Sequence, residues 1–504
     1  MSQPIRFLLG TEPVELKDVP PTQTVLNYLR ENGFTGCKEG CAEGDCGACT
    51  TVIGELKDGR VHYKAINACI HFMPMLDGKQ LINVEHLAEN QTPHPVQSAL
   101  AEQHATQCGF CSPGFVMSGA ALYMNLAEKD YAEQISKLEP DALTDFINET
   151  FSGNLCRCTG YGPIIEAARQ FIALGSEQTS ASHLNTQAVM DALQEIAPKE
   201  DKYYSCEGLE YFQPSTLASL CQILAQNPQA HIVAGATDLG LWVSKQHRTL
   251  STLVNLGQIP ELKTLEVKDD KLIIGASVSY SAAFDSLCQY YPELQDYLWR
   301  HSSTQIRNSG TLVGNIANGS PIGDMPPPLI ALGAEIRLQS KEGERLLPLE
   351  DYFIAYGKQD LHAGEFIKQI ELPILRKDTA KFRVYKISKR FAQDISAVSG
   401  SFHIDFDGNT VTDARICFGG MAATPLRAGK TENFLIGRSW NQDTVQQVQV
   451  LLAEDYTPIS DFRASSDYRM QVAQNLLYKF YIETSTQDIA VPIQVSHQGG
   501  IKHA

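Results

Sequence analysis

No apolar run in this sequence approaches the ~18 residues that would span a bilayer, so a membrane-spanning helix is not expected. The opening stretch, MSQPIRFLLGTEPVEL, carries only a short apolar patch before charge returns, which is not the pattern of a secretory signal. Positive charge is in deficit: 41 Lys and Arg stand against 58 Asp and Glu, for a net charge of −17. That balance argues against nucleic acid and anionic membrane as partners, because both demand clustered basic residues. No G-x-G-x-x-G and no G-x-x-x-x-G-K-[ST] occurs, so neither a Rossmann dinucleotide site nor a P-loop is supported. A flavin bound here would have to be held by a different fold. Without an export signal, the 13 cysteines are expected to be reduced thiols or metal ligands rather than disulfides, and the compartment cytoplasmic.

What is present is ordinary in bulk and unusual in one place. Hydrophobic content of 43% and charged content of 20% are those of a soluble globular protein. At ~150 residues per domain, 504 residues imply roughly three or four domains. The cysteines, however, are crowded: nine of the 13 precede residue 159, while Cys206, Cys221, Cys288 and Cys417 are scattered and read as small buried hydrophobes.

The first group is C-x4-C-x2-C at Cys41, Cys46 and Cys49, with Cys69 following after 19 residues. This is the spacing of plant-type [2Fe–2S] sites. Four thiolates must converge on two irons from irregular backbone, and Gly40, Gly44 and Gly47 permit positive φ and N–H groups aimed at sulfur. PIRFLLG and TTVIGEL read as strands and residues 24–32 as a short helix, a β-grasp-like arrangement. A four-cysteine structural zinc site is the alternative. Cys37 is surplus and is expected not to be a ligand.

The second group is Cys108 and Cys111 in QCGFCSPGF, then Cys156 and Cys158 in GNLCRCTGYGP. Each pair precedes a helix: Ser112 is the expected N-cap with Pro113 at N1, and Pro163 opens the other. With HPVQSALAEQH and DALTDFINETF the pattern predicts four helices, with the cysteines in the connecting loops and two positive helix ends turned toward an anionic cluster. Zinc again remains open on spacing alone.

The three motifs EGCAEGDCGAC, QCGFCSPGFVMS and GNLCRCTGYGPI together resemble the iron–sulfur domains of the molybdenum hydroxylases, the xanthine dehydrogenase and aldehyde oxidase family. The resemblance implies two [2Fe–2S] clusters, one on Cys41, Cys46, Cys49 and Cys69, the other on Cys108, Cys111, Cys156 and Cys158. Beyond a polar stretch read as a linker with at most a short surface helix (177–202), two further segments stand out. HIVAGATDLG is a buried strand running into a loop, and residues 306–336 read as a long loop rich in Gly, Asn, Ser and Pro. On its own either is an ordinary turn as readily as a phosphate cradle.

Both segments resemble the flavin-binding loops of the same family, in its p-cresol methylhydroxylase-like domain. Carried over by position, Ile232, Val233, Ala234, Gly235, Ala236, Thr237, Asp238 and Leu239 would wrap the FAD diphosphate. Thr311, Leu312, Val313, Gly314 and Asn315 would form the second loop, Asp324 would bind the adenosine side, and Ile367 and Lys386 would make further flavin contacts. His301 would stand by the isoalloxazine, where relatives commonly place phenylalanine.

The resemblance implies a multidomain α+β chain. Its expected parts are a plant-type ferredoxin domain (1–88), a helical-bundle [2Fe–2S] domain (89–176), the linker, an FAD domain (203–378), a small C-terminal α/β domain (379–490) and a mobile tail (491–504). It further implies an oxidoreductase electron-transfer chain using two [2Fe–2S] clusters and FAD, with NAD as co-substrate. The molybdopterin would lie on a large partner subunit, in a heterotetramer or larger assembly with xanthine dehydrogenase activity. An aldehyde or N-heterocycle hydroxylase, and a zinc-binding scaffold without flavin, are the alternatives.

Overall fold

The computed structural model describes residues 2–176, 182–375 and 379–485. The proposed mobile tail therefore lies outside the described residues, as do positions 177–181 of the linker.

The N-terminal sheet has the spatial order Glu12–Leu16, Ile5–Leu9, Gln80–Ile82, Thr50–Lys57, Arg60–Asn67, with Ile5–Leu9 and Gln80–Ile82 parallel. Helix Val25–Glu31 crosses it, capped by Thr24, whose hydroxyl accepts from the Asn27 N–H. This is the β-grasp arrangement read from the sequence. Strand alternation decides what surrounds it: neighbouring residues must face opposite sides. Phe7, Ile53 and Leu81 enter one core with the crossing helix, while Leu8, Val52 and Ile82 enter another with the following helical domain. Both faces of this sheet are thus buried.

The helical domain contains five helices rather than four: Pro95–Glu102, Ser112–Asn125, Lys129–Ser136, Pro140–Thr150 and Gly162–Ser176. The unforeseen one, KDYAEQIS, buries only Ala132 and Ile135 and so leaves little apolar pattern to read. Helix Ser112–Asn125 is buried on every side from Gly114 to Met124, as an apolar helix without a polar face must be. Its N-cap is Cys111, not Ser112; the Ser112 hydroxyl instead bonds Thr106 Oγ1 at 2.6 Å.

The linker is also more ordered than its polarity implied. Helix Gln187–Ile196 sinks Val189 and Leu193, one turn apart, into the helical domain's core. Just before it, the Leu184 carbonyl accepts from Tyr63 Oη at 3.1 Å and Gln80 Nε2 at 3.0 Å. This stretch is an integral clasp and not a loose tether.

Next comes a small sheet ordered Lys202–Cys206, Leu209–Gln213, Thr252–Asn255, His231–Val233, whose Tyr204, Tyr211, Val233 and Leu253 share a core with the N-terminal domain. A second, antiparallel sheet is ordered Leu265–Lys268, Lys271–Gly275, Phe366–Pro373, Glu335–Ser340, Gly343–Pro348. The segment expected to be one long loop is mostly regular: helices Thr304–Ser309, Leu312–Ala317 and Pro326–Ala331, then strand Glu335–Ser340. Local caps explain it, since Ser303 and Thr311 hydroxyls accept from the N–H groups of Ile306 and Gly314, and Pro326–Pro328 preset φ for a first turn.

The C-terminal portion is an antiparallel sheet, Ala380–Ile387, Val398–Asp407, Thr410–Gly419 and Leu426–Arg427, covered by helices Gly429–Leu435, Gln442–Asp455 and Ser466–Ser485. Phe480 of the last helix stacks on Phe402 with ring centroids 5.2 Å apart. Among the described residues no helix is long and apolar enough to cross a membrane.

Candidate electron-transfer site

The loop at 41–49 is shaped around sulfur. Backbone N–H groups of Glu43, Asp45 and Cys46 point at Cys41 Sγ at 3.4, 3.3 and 3.3 Å, and the Cys41 N–H points at Cys46 Sγ at 3.3 Å. Left-handed backbone at Ala42, Gly44 and Gly47 makes this convergence possible. The Cys46 thiol, and with it the three N–H groups, draws Cys41 down to about 5 against the opposing effect of burial. The four sulfurs fall in two pairs, Cys41 with Cys46 and Cys49 with Cys69. Cys37 is buried and turned away, its Sγ donating to the Cys49 carbonyl at 3.4 Å.

The second set is also drawn together, with Cys156 Sγ 3.9 Å from Cys158 Sγ. Cys158 Sγ lies 3.6 Å from Cys108 Sγ, and Cys111 faces Cys156. Burial opposes ionisation of Cys156, but the Thr159 hydroxyl at 3.0 Å and N–H at 3.4 Å bring it down to about 7. Among the described residues no three Cys, His, Asp or Glu side chains are arranged about a point suited to a single metal ion. Two pairs of thiolates in an N–H-lined loop, as at Cys41, Cys46, Cys49 and Cys69, suit a two-iron rhomb. Cys108 and Cys158 are exposed, beside the exposed side chains of Phe110, Leu155 and Tyr161.

The two cysteine loops touch. The Leu155 N–H donates to the Cys46 carbonyl at 3.0 Å, and a Cβ on Gly114 would lie 2.2 Å from the Gly47 carbonyl oxygen. Buried Asn154 knits the junction: its Nδ2 donates to Gly47 O and Thr50 Oγ1, each at 3.1 Å, and its Oδ1 accepts from Ser118 Oγ at 2.6 Å. Gln305, from the third portion of the chain, donates to the same Oδ1 at 2.9 Å and to Ser118 Oγ at 3.0 Å. Three domains therefore meet on one amide.

A cavity of about 570 Å³ opens on the other side of the first cysteine loop, and Glu43, Gly44 and Asp45 form part of its wall. Its size suits a large organic ligand. Of the residues expected to contact flavin, Ile232, Ala234, Gly235, Ala236, Thr237, Asp238, Leu239, His301, Thr311, Val313, Gly314, Asn315, Asp324 and Ile367 line it. Val233 and Leu312, both buried, do not line it and pack in the cores behind, because adjacent residues of a strand or helix cannot all face one side. The two loops approach closely: a Cβ on Gly235 would fall 1.9 Å from the Ser309 carbonyl oxygen. Tyr280 and Tyr352, unmarked in the sequence by any local pattern, also line the cavity with buried hydroxyls that have no protein partner. A bound flavin nucleotide, rich in donors and acceptors, fits a wall with such orphaned groups.

Asp324 and His301, expected at opposite ends of the flavin nucleotide, are neighbours. His301 Nδ1 contacts Asp324 Oδ2 at 3.1 Å, so the two residues cannot serve opposite ends of an extended dinucleotide. The other contacts of Asp324 are Lys386 Nζ at 2.5 Å and Ser396 Oγ at 2.6 Å. Burial works against ionisation, but the Lys386 ammonium and His301 hold the carboxyl well below the usual carboxylate range. Lys386 does not reach the cavity; its ammonium is spent on Asp324. The carboxylate thus binds His301, Lys386 and Ser396 while lining the cavity.

Comparisons with known proteins agree with this division. Family models match as a 2Fe-2S iron-sulfur cluster binding domain (9–73), a [2Fe-2S] binding domain (83–169), an FAD binding domain in molybdopterin dehydrogenase (205–375) and a CO dehydrogenase flavoprotein C-terminal domain (383–484). Xanthine dehydrogenase 1 of Arabidopsis thaliana is 30% identical over 92% of this chain, and the xanthine dehydrogenase/oxidase of Rattus norvegicus 30% identical over 94%. The chain spans 38% of the length of each. Among solved structures, quinoline 2-oxidoreductase from Pseudomonas putida 86 superposes with a TM-score of 0.51 at 25% identity, over 56% of this chain and 97% of that one. Carbon monoxide dehydrogenase from Hydrogenophaga pseudoflava gives 0.51 at 25% identity, over 54% and 95%.

Proposed function

We propose that this chain, which belongs to the molybdenum hydroxylase family and carries its 2Fe–2S and FAD-binding electron-transfer part, is the electron-transfer subunit of a xanthine dehydrogenase. Hypoxanthine and xanthine would be oxidised to urate at a molybdopterin on a large partner subunit, and NAD⁺ would be reduced at this chain. When bound, two [2Fe–2S] clusters and FAD supply the one- and two-electron chemistry that no side chain offers. The observation that carries the reading is the continuous packing from the exposed Cys108 and Cys158, through Leu155 and Cys46, to the cavity wall at Gly44.

In this reading Cys41, Cys46, Cys49 and Cys69 hold one cluster and Cys108, Cys111, Cys156 and Cys158 the other, at the surface facing the partner. The residues at 232–239 would wrap the FAD diphosphate, those at 311–315 would form the second flavin loop, Ile367 would contact the flavin, and Lys386 would act through Asp324. The domain limits of 88, 176, 202, 378 and 490, a cytoplasmic location and a heterotetrameric or larger assembly belong to the same proposal. The likeness to quinoline 2-oxidoreductase keeps hydroxylation of another N-heterocycle as a second reading.

Co-expression with a molybdopterin-binding subunit, followed by assays with xanthine and with quinoline in the presence of NAD⁺, tests it. The expected result is a brown complex that reduces NAD⁺ with xanthine, while the lone chain oxidises NADH with an artificial dye and leaves xanthine untouched. Turnover of quinoline but not xanthine would select the second reading. A colourless, zinc-loaded chain would remove both.

A further inference from the structure

The first cysteine loop forms one part of the cavity wall. A Cβ on Gly44 would lie 3.0 Å from Ile306 Cδ1, and Ile306, Ser302 and His301 line the cavity there. Short separation favours placing the redox-active ring here. His301 stands there under unusual restraint. Its imidazole stacks on Tyr280, with centroids 4.3 Å apart and planes at 29°. Its Nδ1 is held by Asp324, itself fixed by Lys386 and Ser396. Its backbone carbonyl accepts from buried Arg307 at 2.7 Å, and the next residue, Ser302, is in left-handed backbone with φ +56°. A carboxylate on Nδ1 is matched by a proton on that nitrogen, which leaves Nε2 as the other ring nitrogen of a side chain that lines the cavity.

We propose that His301 is the proton donor to the flavin, and Asp324 its positioning residue. The inference rests on the electron-transfer reading above and extends it. Two electrons arriving from iron–sulfur centres bring no proton, yet the hydride that leaves for NAD⁺ contains one. Each turnover therefore takes in two electrons and one proton and gives out one hydride. His301 supplies that proton: the Nε2–H bond of the imidazolium breaks, an N–H bond to the ring forms, and solvent returns a proton to Nε2. The electron donor is the reduced cluster pair and the hydride acceptor the nicotinamide.

Charged and titratable groups surround the imidazole. Asp324 and Asp238 place two carboxyls near the imidazole, and the Lys386 ammonium is neutralised by Asp324. The Tyr297 hydroxyl donates to the Asp324 carbonyl, Tyr280 offers a phenol that burial pushes up, and Arg307 bonds only backbone oxygens on this side. Glu43, Asp45 and Asp394 complete the facing walls. Of the side-chain types on this wall, imidazole is the one that most often serves as a general acid or base.

The test compares two routes of flavin reduction in the assembled, cofactor-loaded protein. Wild type, His301→Gln and His301→Phe are reduced either by electrons through the clusters, from photoreduced deazaflavin, or by hydride from NADH. Flavin absorbance is followed in each case. The electron-driven rate is expected to fall on the order of 100-fold more than the hydride-driven rate in both variants, and added imidazole to restore part of it. Independently, the pH dependence of the flavin midpoint potential should have a break in wild type that His301→Phe lacks. Equal slowing of both routes, or no slowing with the break retained, overturns the proposal while leaving the electron-transfer reading intact. A wild-type flavin that electrons from the clusters do not reduce would overturn that reading, and this inference with it.

Discussion

Replacing Asn154 with alanine removes the side chain on which three domains meet. Four hydrogen bonds vanish, two donated by Nδ2 and two accepted by Oδ1. Each contributes about 1 kcal/mol net, and stranded buried partners cost more. Two groups keep a second partner: Gly47 O retains Thr50 Oγ1 at 2.7 Å, and Gln305 Nε2 retains Ser118 Oγ at 3.0 Å. The loss is therefore about 3 kcal/mol. It falls on the junction rather than inside one domain. Urea unfolding followed by cluster absorbance and by flavin fluorescence measures it, with the midpoint expected to drop by about 1 M at a slope near 3 kcal/mol/M. The two signals, coincident in wild type, should separate in the variant. A loss under about 1 kcal/mol with coincident transitions would refute the view that this amide couples the domains.

Ligand identity can be checked by reduced-state electron paramagnetic resonance. Cys46→Ser should perturb one signal and Cys156→Ser the other, while Cys37→Ser, whose thiol bonds a backbone carbonyl, should leave both; loss of a signal with Cys37→Ser would reverse the assignment. Gly47→Ala should destabilise cluster retention far more than Gly59→Ala. Both glycines have positive φ, but a Cβ at 47 would meet the Gly153 carbonyl oxygen at 2.0 Å and one at 59 meets nothing; similar melting curves for the two would mean that loop contact is unimportant. Burial pushes His71 down to about 3 from 6.5, so the unfolded chain binds the extra proton first as pH falls. Stability from this residue is full above 6.5 and declines toward about 3, by roughly 2 kcal/mol near pH 5. His71→Phe should flatten that part of the pH–stability curve, and an unchanged slope would count against it.

The cysteine sets, the strands of the first domain and its crossing helix were legible in the sequence because their signals are local. Ligand spacing, period-2 alternation and a capping threonine are fixed by covalent geometry and hydrogen bonding within a few residues. The same locality limited the reading elsewhere. Helix Lys129–Ser136 buries only two helical side chains, too few to rise above a polar background, and nothing local at Gln187–Ile196, expected as a surface helix, marks Val189 and Leu193 as core. The glycine-rich 306–336 segment was taken for loop because Gly, Asn and Pro are turn residues, yet Ser303 and Thr311 turn the same composition into capped helices.

By itself, then, the sequence determined which thiols are grouped and where glycine-bearing segments lie. Tertiary structure alone decided what those parts face. That Gly44 forms cavity wall, that Tyr280 carries an unpaired hydroxyl there, and that Asp324 contacts His301 all depend on residues dozens to hundreds of positions apart. Such contacts are set by how two buried faces of one sheet and a shared amide orient the domains, and no local spacing encodes that orientation.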